Sequence, residues 1–493
     1  MIVVELNQDN FEYDIYSLIK AFYPREEIKV FTDDREILED MLFRLVITYT
    51  DLEIVMEYIR GQEKISYRQD NDYSNRKETK NNLKLMLYSL LKEQTGRTLP
   101  WGTLTGIRPT KIPLKLLEQG KGETEIYQYM RDTYDISREK AELALQVAKA
   151  EYGLLKKFDY EAGYSLYIGI PFCPSTCLYC SFTSYPIGIW KDRADEYLEG
   201  VFKEIDFVAE NLSHRPLHTI YIGGGTPTSL TAEQIDRLLT KIENTLDLSH
   251  LMEFTVEAGR PDSITEEKLQ VIHNHGIERI SINPQTMNQK TLDLIGRHHT
   301  VEQIRESFAM ARRVGISCIN TDLIVGLPGE SLEDVAYTLE EIQKLDPDNL
   351  TVHSLALKRS ARLNLEWDKY QDYVMENSEA HIELAADTAK AMGMSPYYLY
   401  RQKNMTGNLE NIGYAKAGKE GLYNILIMEE RQSIIALGAG AASKYVMDHG
   451  ERVERTENVK DVGVYLERLD EMIERKRKAI GEFLANDMVK KQL

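Results

Sequence analysis

The chain has 493 residues, 42 % hydrophobic and 28 % charged, with 60 Lys and Arg against 79 Asp and Glu for a net charge of −19. Such a charge repels phosphate backbones and anionic membranes at long range and weighs against nucleic acid as the main partner, although a local Arg and Lys cluster can still hold a small anion. Four cysteines make no disulfide framework in a chain this long, no secretion signal opens it, and nowhere do about 18 apolar residues run together, so a cytoplasmic protein of two to four domains without a membrane span is expected.

Residues 1–60 alternate β-like runs (Ile2–Leu6, Ile28–Thr32, Leu45–Tyr49) with one amphipathic stretch, Phe11–Phe22. The polar run SYRQDNDYSNRKETKNN follows, then a helix reaching GRTLPWGTLTGIRPTK. That segment carries Trp101, Arg108 and Lys111 and reads as a structured loop, or as a substrate or partner surface. Helical stretches continue to about Phe158, which gives a small N-terminal α+β and helical domain over 1–160.

From Tyr164 the pattern changes. Strand-length apolar runs (Ser165–Ile170, Thr219–Ile222, Met252–Glu257, Arg279–Ile282, Ser317–Val325, Leu350–Leu355) alternate with amphipathic helical stretches (Ala194–Asn211, Ala232–Leu246, Glu266–His275, Glu302–Val314, Leu332–Leu345). Six βα units in a row predict an α/β fold with a parallel sheet, a partial (β/α)6 TIM-like barrel over 161–360. In such a barrel the C-terminal ends of the strands form the active face. After Leu355 the alternation stops. A helix near Glu366–Met392, a Tyr-, Gly- and Met-rich region and a charged helix over Val459–Lys478 suggest a C-terminal α+β module, 361–493.

Three of the four cysteines lie in PFCPSTCLYC, directly after the first barrel strand, as Cys173, Cys177 and Cys180. A structural zinc site takes four ligands, and the fourth cysteine, Cys318, begins a distant strand. No histidine stands at ligand-like spacing. Three thiolates on one loop suit a [4Fe–4S] cluster with one iron open to an outside ligand, since a cluster held wholly by protein takes four.

These residues resemble the signature of the radical S-adenosylmethionine (SAM) superfamily. In that family the methionine amine and carboxylate of SAM bind the open iron, and one electron cleaves the sulfonium to a 5′-deoxyadenosyl radical. Other motifs resemble the family in order. YIGGGTPTSL carries Gly223, Gly224, Gly225 and Thr226, whose backbone can approach the methionine amine where a side chain would block it. The resemblance further implies Glu257 for the SAM amine, Gln285 for the ribose, Arg297 for the carboxylate and Asp322 for the ribose hydroxyls. Tyr179, Ile324 and Ala356 are implied around the adenine, and Tyr167 on the first strand joins this set.

Over roughly 160–440 the order of motifs is similar to the oxygen-independent coproporphyrinogen III oxidase (coproporphyrinogen dehydrogenase) group. LPWGTLTGIRPTK, LYRQKNMTGN and IIALGAGAASK resemble its HemZ branch. The resemblance implies a radical SAM oxidoreductase of heme biosynthesis that converts two propionates of a tetrapyrrole substrate to vinyl groups, with a reductant for the cluster and an electron acceptor. No catalytic residue is assigned. A tetra-anionic substrate calls for cations: Lys358, Arg359 and Arg362 past the sixth strand, with Arg401 and Lys403, all of which also read as a solvated face. Tyr397, Tyr398 and Tyr400 could face a macrocycle or be core, with core expected for at least two. The chain departs from the group at Phe182, where a further Cys is usual, at Gly169, where His is usual, and at ENIGYAK, with Asn411 and Tyr414. A Phe at the position of Phe182 is also carried by related heme chaperones. A heme-delivery protein, with His298 or His299 as iron ligand, and a radical enzyme for another tetrapyrrole therefore stand as alternatives.

Overall fold

The computed structural model describes residues 1–32, 41–106, 108–401 and 409–490. Two compact units, Met1–Lys149 and Ala150–Leu493, each form their own core.

In the first unit, β1 (Ile2–Leu6), β2 (Ile28–Phe31), β3 (Phe43–Tyr49), β4 (Glu53–Arg60) and β5 (Glu63–Asp70) form one sheet in the order β2-β1-β3-β4-β5. Alternate residues of β3 and β4 are buried, the pattern of a sheet with one face on a core. That core joins Leu45, Ile47, Ile54 and Met56 to Ile15, Leu18 and Phe22 of the helix Glu12–Phe22 and Leu83, Leu87 and Leu91 of the helix Arg76–Thr95. The polar run after Ile65 is not loop throughout. Its first residues form β5, paired to β4 across a two-residue turn with Gly61 at φ 59°, and Asn75 then caps the helix Arg76–Thr95.

The second unit is built on an 11-stranded sheet. Its centre is six parallel strands, β6 (Tyr164–Ile170), β9 (Leu217–Gly224), β10 (Glu253–Gly259), β11 (Arg279–Ile282), β12 (Cys318–Val325) and β13 (Asn349–Ser354). Two-residue strands β7 (Phe172–Cys173) and β8 (Tyr185–Pro186) pair to close the loop that carries the cysteines. The crossover helices Ala194–Leu212, Ala232–Thr245, Glu266–Asn274, Val301–Val314 and Leu332–Leu345 match the amphipathic stretches within a residue or two, and side chains of Thr231, Thr265, Thr300 and Ser331 cap four of them. This is the α/β partial barrel expected from the six βα units.

The chain after residue 361 extends the same sheet at both ends. β15 (Asn411–Ala415) pairs antiparallel with β13 and carries β14 (Ser395–Tyr400), while β16 (Ser433–Leu437) pairs parallel with β6 and carries β17 (Ala442–Met447) and β18 (Arg452–Glu457). The helix expected over Glu366–Met392 is instead a single turn, Trp367–Lys369, a non-helical stretch, and a separate helix, Glu379–Ala391. Similarly, the last helical region is split into Val462–Glu467 and Leu469–Lys490.

A buried polar network ties these added strands to the barrel. Glu204 and Lys476 are both wholly buried and 2.7 Å apart. The Glu204 carboxylate also accepts from Tyr465 Oη (2.7 Å), Asn458 Nδ2 (3.0 Å) and the backbone N–H of Gly438 (2.7 Å). Losing one partner leaves an uncompensated charge in the core, at a cost of about 3–5 kcal/mol. Lys476→Met is therefore expected to lower unfolding free energy by about that amount in denaturant titration, and Glu204→Gln with Lys476→Met by clearly less.

Candidate functional site

The unusual residues gather at the C-terminal ends of the parallel strands. After β6 the chain makes a loop whose shape is set by backbone contacts. Gly225 N donates to Ile170 O and Thr226 N to Phe172 O, both at 2.7 Å. A Cβ on Gly225 would lie 2.6 Å from Phe172 O, so only glycine lets the end of β9 approach this closely. Gly224 adopts φ 111°, and a Cβ on Gly223 would stand 3.1 Å from the Glu257 carboxyl carbon. The glycines therefore bring strand end, cysteine loop and carboxylate together.

Cys173 and Cys177 are buried and Cys180 half-buried. Cys173 Sγ lies 3.5 Å from Thr226 Oγ1, and burial pushes its thiol up to about 12. The loop is pinned by Leu178 N to Ile295 O (2.9 Å), Ser175 Oγ to Gly296 O (2.9 Å) and Leu363 N to Leu178 O (2.9 Å). Arg260, absent from the residues singled out in the sequence, reaches Ser175 O and Oγ at 2.8 Å each and Cys177 Sγ at 3.8 Å. Among the described residues no three His, Cys, Asp or Glu side chains close around a single ion. Three thiols on one loop suit a cluster in which each would hold a different iron.

Glu257 closes β10, and its carboxylate accepts from Tyr221 Oη at 2.6 Å. Burial pushes its carboxyl up to about 7, with the Tyr221 hydrogen bond pulling down and the Asp322 charge adding to the rise. Tyr221 is held in turn by stacked rings, Tyr423 at 4.6 Å and Tyr167 at 6.2 Å between centroids. Tyr167 thus serves this stack on the barrel's inner face, and neither Tyr221 nor Tyr423 carried a sequence signal of its own.

Gln285 is buried and sits at φ 71°, a left-handed conformation that a non-glycine residue adopts at a cost. Its N–H donates to Asp322 O and its carbonyl accepts from Ile324 N, so it lies against β12 like a strand residue. Asp322 accepts from Asn320 Nδ2 (2.8 Å) and stands 3.6 Å from His353 Nε2. His353 Nδ1 lies 3.1 Å from Tyr400 Oη. Burial would raise the Asp322 carboxyl, yet His353 and Asn320 hold it below its ordinary range. Arg297 is buried, donates to the Asn283 carbonyl and faces Cys177 and Tyr179. Gln285 Oε1, Asn283 Oδ1 and Arg297 Nε are buried without a hydrogen-bond partner. Buried polar atoms of this kind are ordinarily satisfied. The unmet acceptors and donor, the glycine-lined approach and the two carboxylates fit a ligand that carries an ammonium, a carboxylate and a diol, as SAM does. Ile324 and Ala356 are half-buried nearby on and just past adjacent strands.

The expected substrate cations separate. Lys358 is half-buried just past β13, and burial lowers its ammonium; Arg359 is exposed. Arg362 is exposed and pairs with Glu366 at 3.1 Å. Arg401 is a core residue, 4 % exposed, lowered by burial to about 10 with the Glu410 carboxylate opposing that fall. Lys403 lies outside the described residues. Tyr397 and Tyr398 are core, and Tyr400 is half-buried beside His353. His298 is exposed and His299 wholly buried, 3.8 Å from Asp262, while His353 is half-buried against Asp322.

Residues 167–342 match the family model of the radical SAM superfamily. The chain is similar to the oxygen-independent coproporphyrinogen-III oxidase-like protein HemZ of Bacillus subtilis (strain 168), 42 % identical over 82 % of each chain. It is also similar to the heme chaperone HemW of that organism, 34 % identical over 56 % of this chain and 70 % of the relative. Among solved structures, the fold is similar to coproporphyrinogen III oxidase (HemN) from Escherichia coli, with a TM-score of 0.51, 24 % identity and 69 % and 74 % of the two chains covered.

After anaerobic reconstitution, a chain with Cys173→Ala, Cys177→Ala and Cys180→Ala is expected to lose the iron and sulfide that the wild type retains; full retention would overturn the ligand assignment. With the Glu257 carboxyl pushed up to about 7, protonation as pH falls from 8 to 6 would remove the charge that a SAM ammonium held there would meet. SAM affinity, read by equilibrium dialysis, is expected to fall over that range. Glu257→Gln is expected to weaken binding by about 1.5–3 kcal/mol at pH 8 and to flatten the pH dependence.

Proposed function

We propose, from the premise that this chain belongs to the radical SAM superfamily and within it to the family of the oxygen-independent coproporphyrinogen-III oxidase-like proteins, that it decarboxylates two propionates of coproporphyrinogen III to vinyl groups. What carries this reading is one observation: the cysteine loop, Glu257, Gln285, Arg297 and Asp322 meet at one strand-end face, in a chain that resembles an oxidase-like relative over most of its length.

Cys173, Cys177 and Cys180 would hold the cluster, and the open iron would take SAM. Glu257 holds the ammonium as a carboxylate anchored by Tyr221, and Arg297 supplies a guanidinium for the carboxylate. Asp322, oriented by Asn320 and His353, accepts from the ribose hydroxyls together with Gln285. Ile324, Ala356 and the Tyr179 ring offer apolar surface to the adenine, and Gly224, Gly225 and Thr226 admit the backbone to the amine. When bound, cluster and SAM supply a hydrogen-abstracting radical. Each propionate would give one hydrogen atom from its β-carbon, then carbon dioxide and one electron, and the electron goes to an acceptor outside the chain. Lys358 and Arg359 are the cations at the mouth suited to the remaining carboxylates.

Heme carriage is the second reading, favoured by the HemW relative and by Phe182 in the place of a further cysteine. In that case His353, rather than the buried His299, is the histidine on the inner face of the sheet. An anaerobic turnover assay separates the two. Reconstituted protein with SAM, a strong reductant, an electron acceptor and coproporphyrinogen III is expected to lose two carboxyl groups in step with 5′-deoxyadenosine formation, followed by mass spectrometry. SAM cleavage with an unchanged tetrapyrrole would move the assignment to heme carriage or to another tetrapyrrole.

A further inference from the structure

Arg260 follows Gly259, which takes φ 50° and turns the chain at the end of β10. The turn sends the Arg260 side chain into the protein, where it is 2 % exposed. Its guanidinium is fully committed on two sides. Nε and Nη2 form a two-pronged pair with the Asp262 carboxylate at 3.0 and 2.7 Å. Nη1 donates to Ser175 O and Oγ at 2.8 Å each and points at Cys177 Sγ, 3.8 Å away. Burial would raise the Asp262 carboxyl, but the His299 ring 3.8 Å away and the hydrogen bonds from Arg260 hold it well below its ordinary range, so Asp262 is an anion.

The three thiols therefore see different surroundings. Cys173 meets the neutral Thr226 hydroxyl at 3.5 Å and feels Arg260 only as a charge, without a direct contact. Cys177 has a buried cation held at fixed distance by its own counter-ion, in addition to Arg297. Arg297 keeps an unmet Nε for a ligand, whereas Arg260 spends its donors on the loop and on Asp262. A positive charge and an N–H donor beside a cluster thiolate favour the reduced, more negative cluster and raise its potential. The burial of the pair keeps water from screening that effect.

We propose that Arg260 is a tuning residue for the cluster: its guanidinium, aimed by Asp262, donates to the Cys177 thiolate and raises the reduction potential, and the Asp262 carboxylate sets how much of that charge the cluster feels. This rests on the cysteine assignment and needs no tetrapyrrole. The two charges act in opposite directions, a feature that simple loosening of the loop does not share.

The test is an EPR-monitored redox titration of wild type, Arg260→Gln, Arg260→Lys and Asp262→Asn, each reconstituted to matched iron and sulfide content, without SAM or substrate. At a fixed applied potential near the wild-type midpoint, Arg260→Gln is expected to lower the ratio of reduced to oxidised cluster about tenfold, which is about 59 mV for one electron. Asp262→Asn is expected to raise that ratio, and Arg260→Lys to fall between Arg260→Gln and wild type. Unmoved potentials, or shifts of the same sign in Arg260→Gln and Asp262→Asn, overturn the proposal. Should Arg260→Gln not retain a cluster, Asp262→Asn decides by itself, with a rise supporting the proposal and any other result overturning it. Wild-type protein that binds no iron would fail the cysteine assignment first, and the iron and sulfide analysis reads that separately.

Discussion

The site depends on how closely the backbone of Gly225 and Thr226 lies against Ile170 and Phe172. Two 2.7 Å hydrogen bonds fix the end of β9 to the segment that opens the cysteine loop, at a separation that no Cβ at Gly225 tolerates. Everything around it is arranged to keep that crossing. Tyr197 Oη donates to Gly169 O (2.6 Å) and accepts from Ala439 N (3.0 Å), so the first strand is gripped from outside as well. Ser175, in the middle of the loop, is held by the 296 turn and by Arg260, and Leu178 by Ile295 and Leu363. A cluster loop must stay in one shape through changes of charge, and this one is tied at four separate backbone positions.

A partial barrel leaves two strand edges open, and open edges invite further pairing. Here the chain solves this with its own later residues. β15 and β14 cover β13, and β16 with β17 and β18 covers β6. The cover also reaches the strand ends, because β14 ends on Tyr400, which meets His353, and the loop after β16 sits against Gly169. A Cβ at Gly169 would lie 3.3 Å from Leu437 O, which gives a packing reason for glycine where relatives of the coproporphyrinogen oxidase group are expected to carry a larger residue.

The barrel is legible because its period is local: buried strands of 4 to 8 residues and helices with Ser or Thr caps appear in the letters themselves. The cysteine spacing was legible for the same reason. The hairpin of β4 and β5 was not, since β5 exposes every other residue and its polar face reads as loop. Composition after Glu366 reads as one helix, but residues 366–373 make short turns, and Gly329 N pairing with Val374 O holds the chain outside any helix until Glu379. Arg260, Tyr221, Tyr423 and His353 owe their roles to contacts with partners distant in the chain, such as Arg260 with Ser175 and Tyr423 with Tyr167 and Tyr221, and no spacing rule reaches that far. Arg401 shows the converse. A cation beside three tyrosines reads as a mouth residue, but packing against Glu410 makes it core.

Charge in the mouth then bears on what the fold can accept. The chain is strongly acidic overall, and two carboxylates, Glu257 and Asp322, stand on the inner face. Two of the buried guanidiniums near them are already engaged, Arg260 with Asp262 and Arg297 with the Asn283 carbonyl. On the proposed reading, the cations among the described residues that would attract a multiply anionic macrocycle are Lys358 and Arg359, past the strand ends. Lys358 is the more informative of the two, because partial burial strengthens any pair it forms and leaves its ammonium costly when unpaired. Selectivity among tetrapyrroles would, on that reading, rest on the short segment after β13 that carries Lys358 and Arg359, outside the residues that would hold SAM.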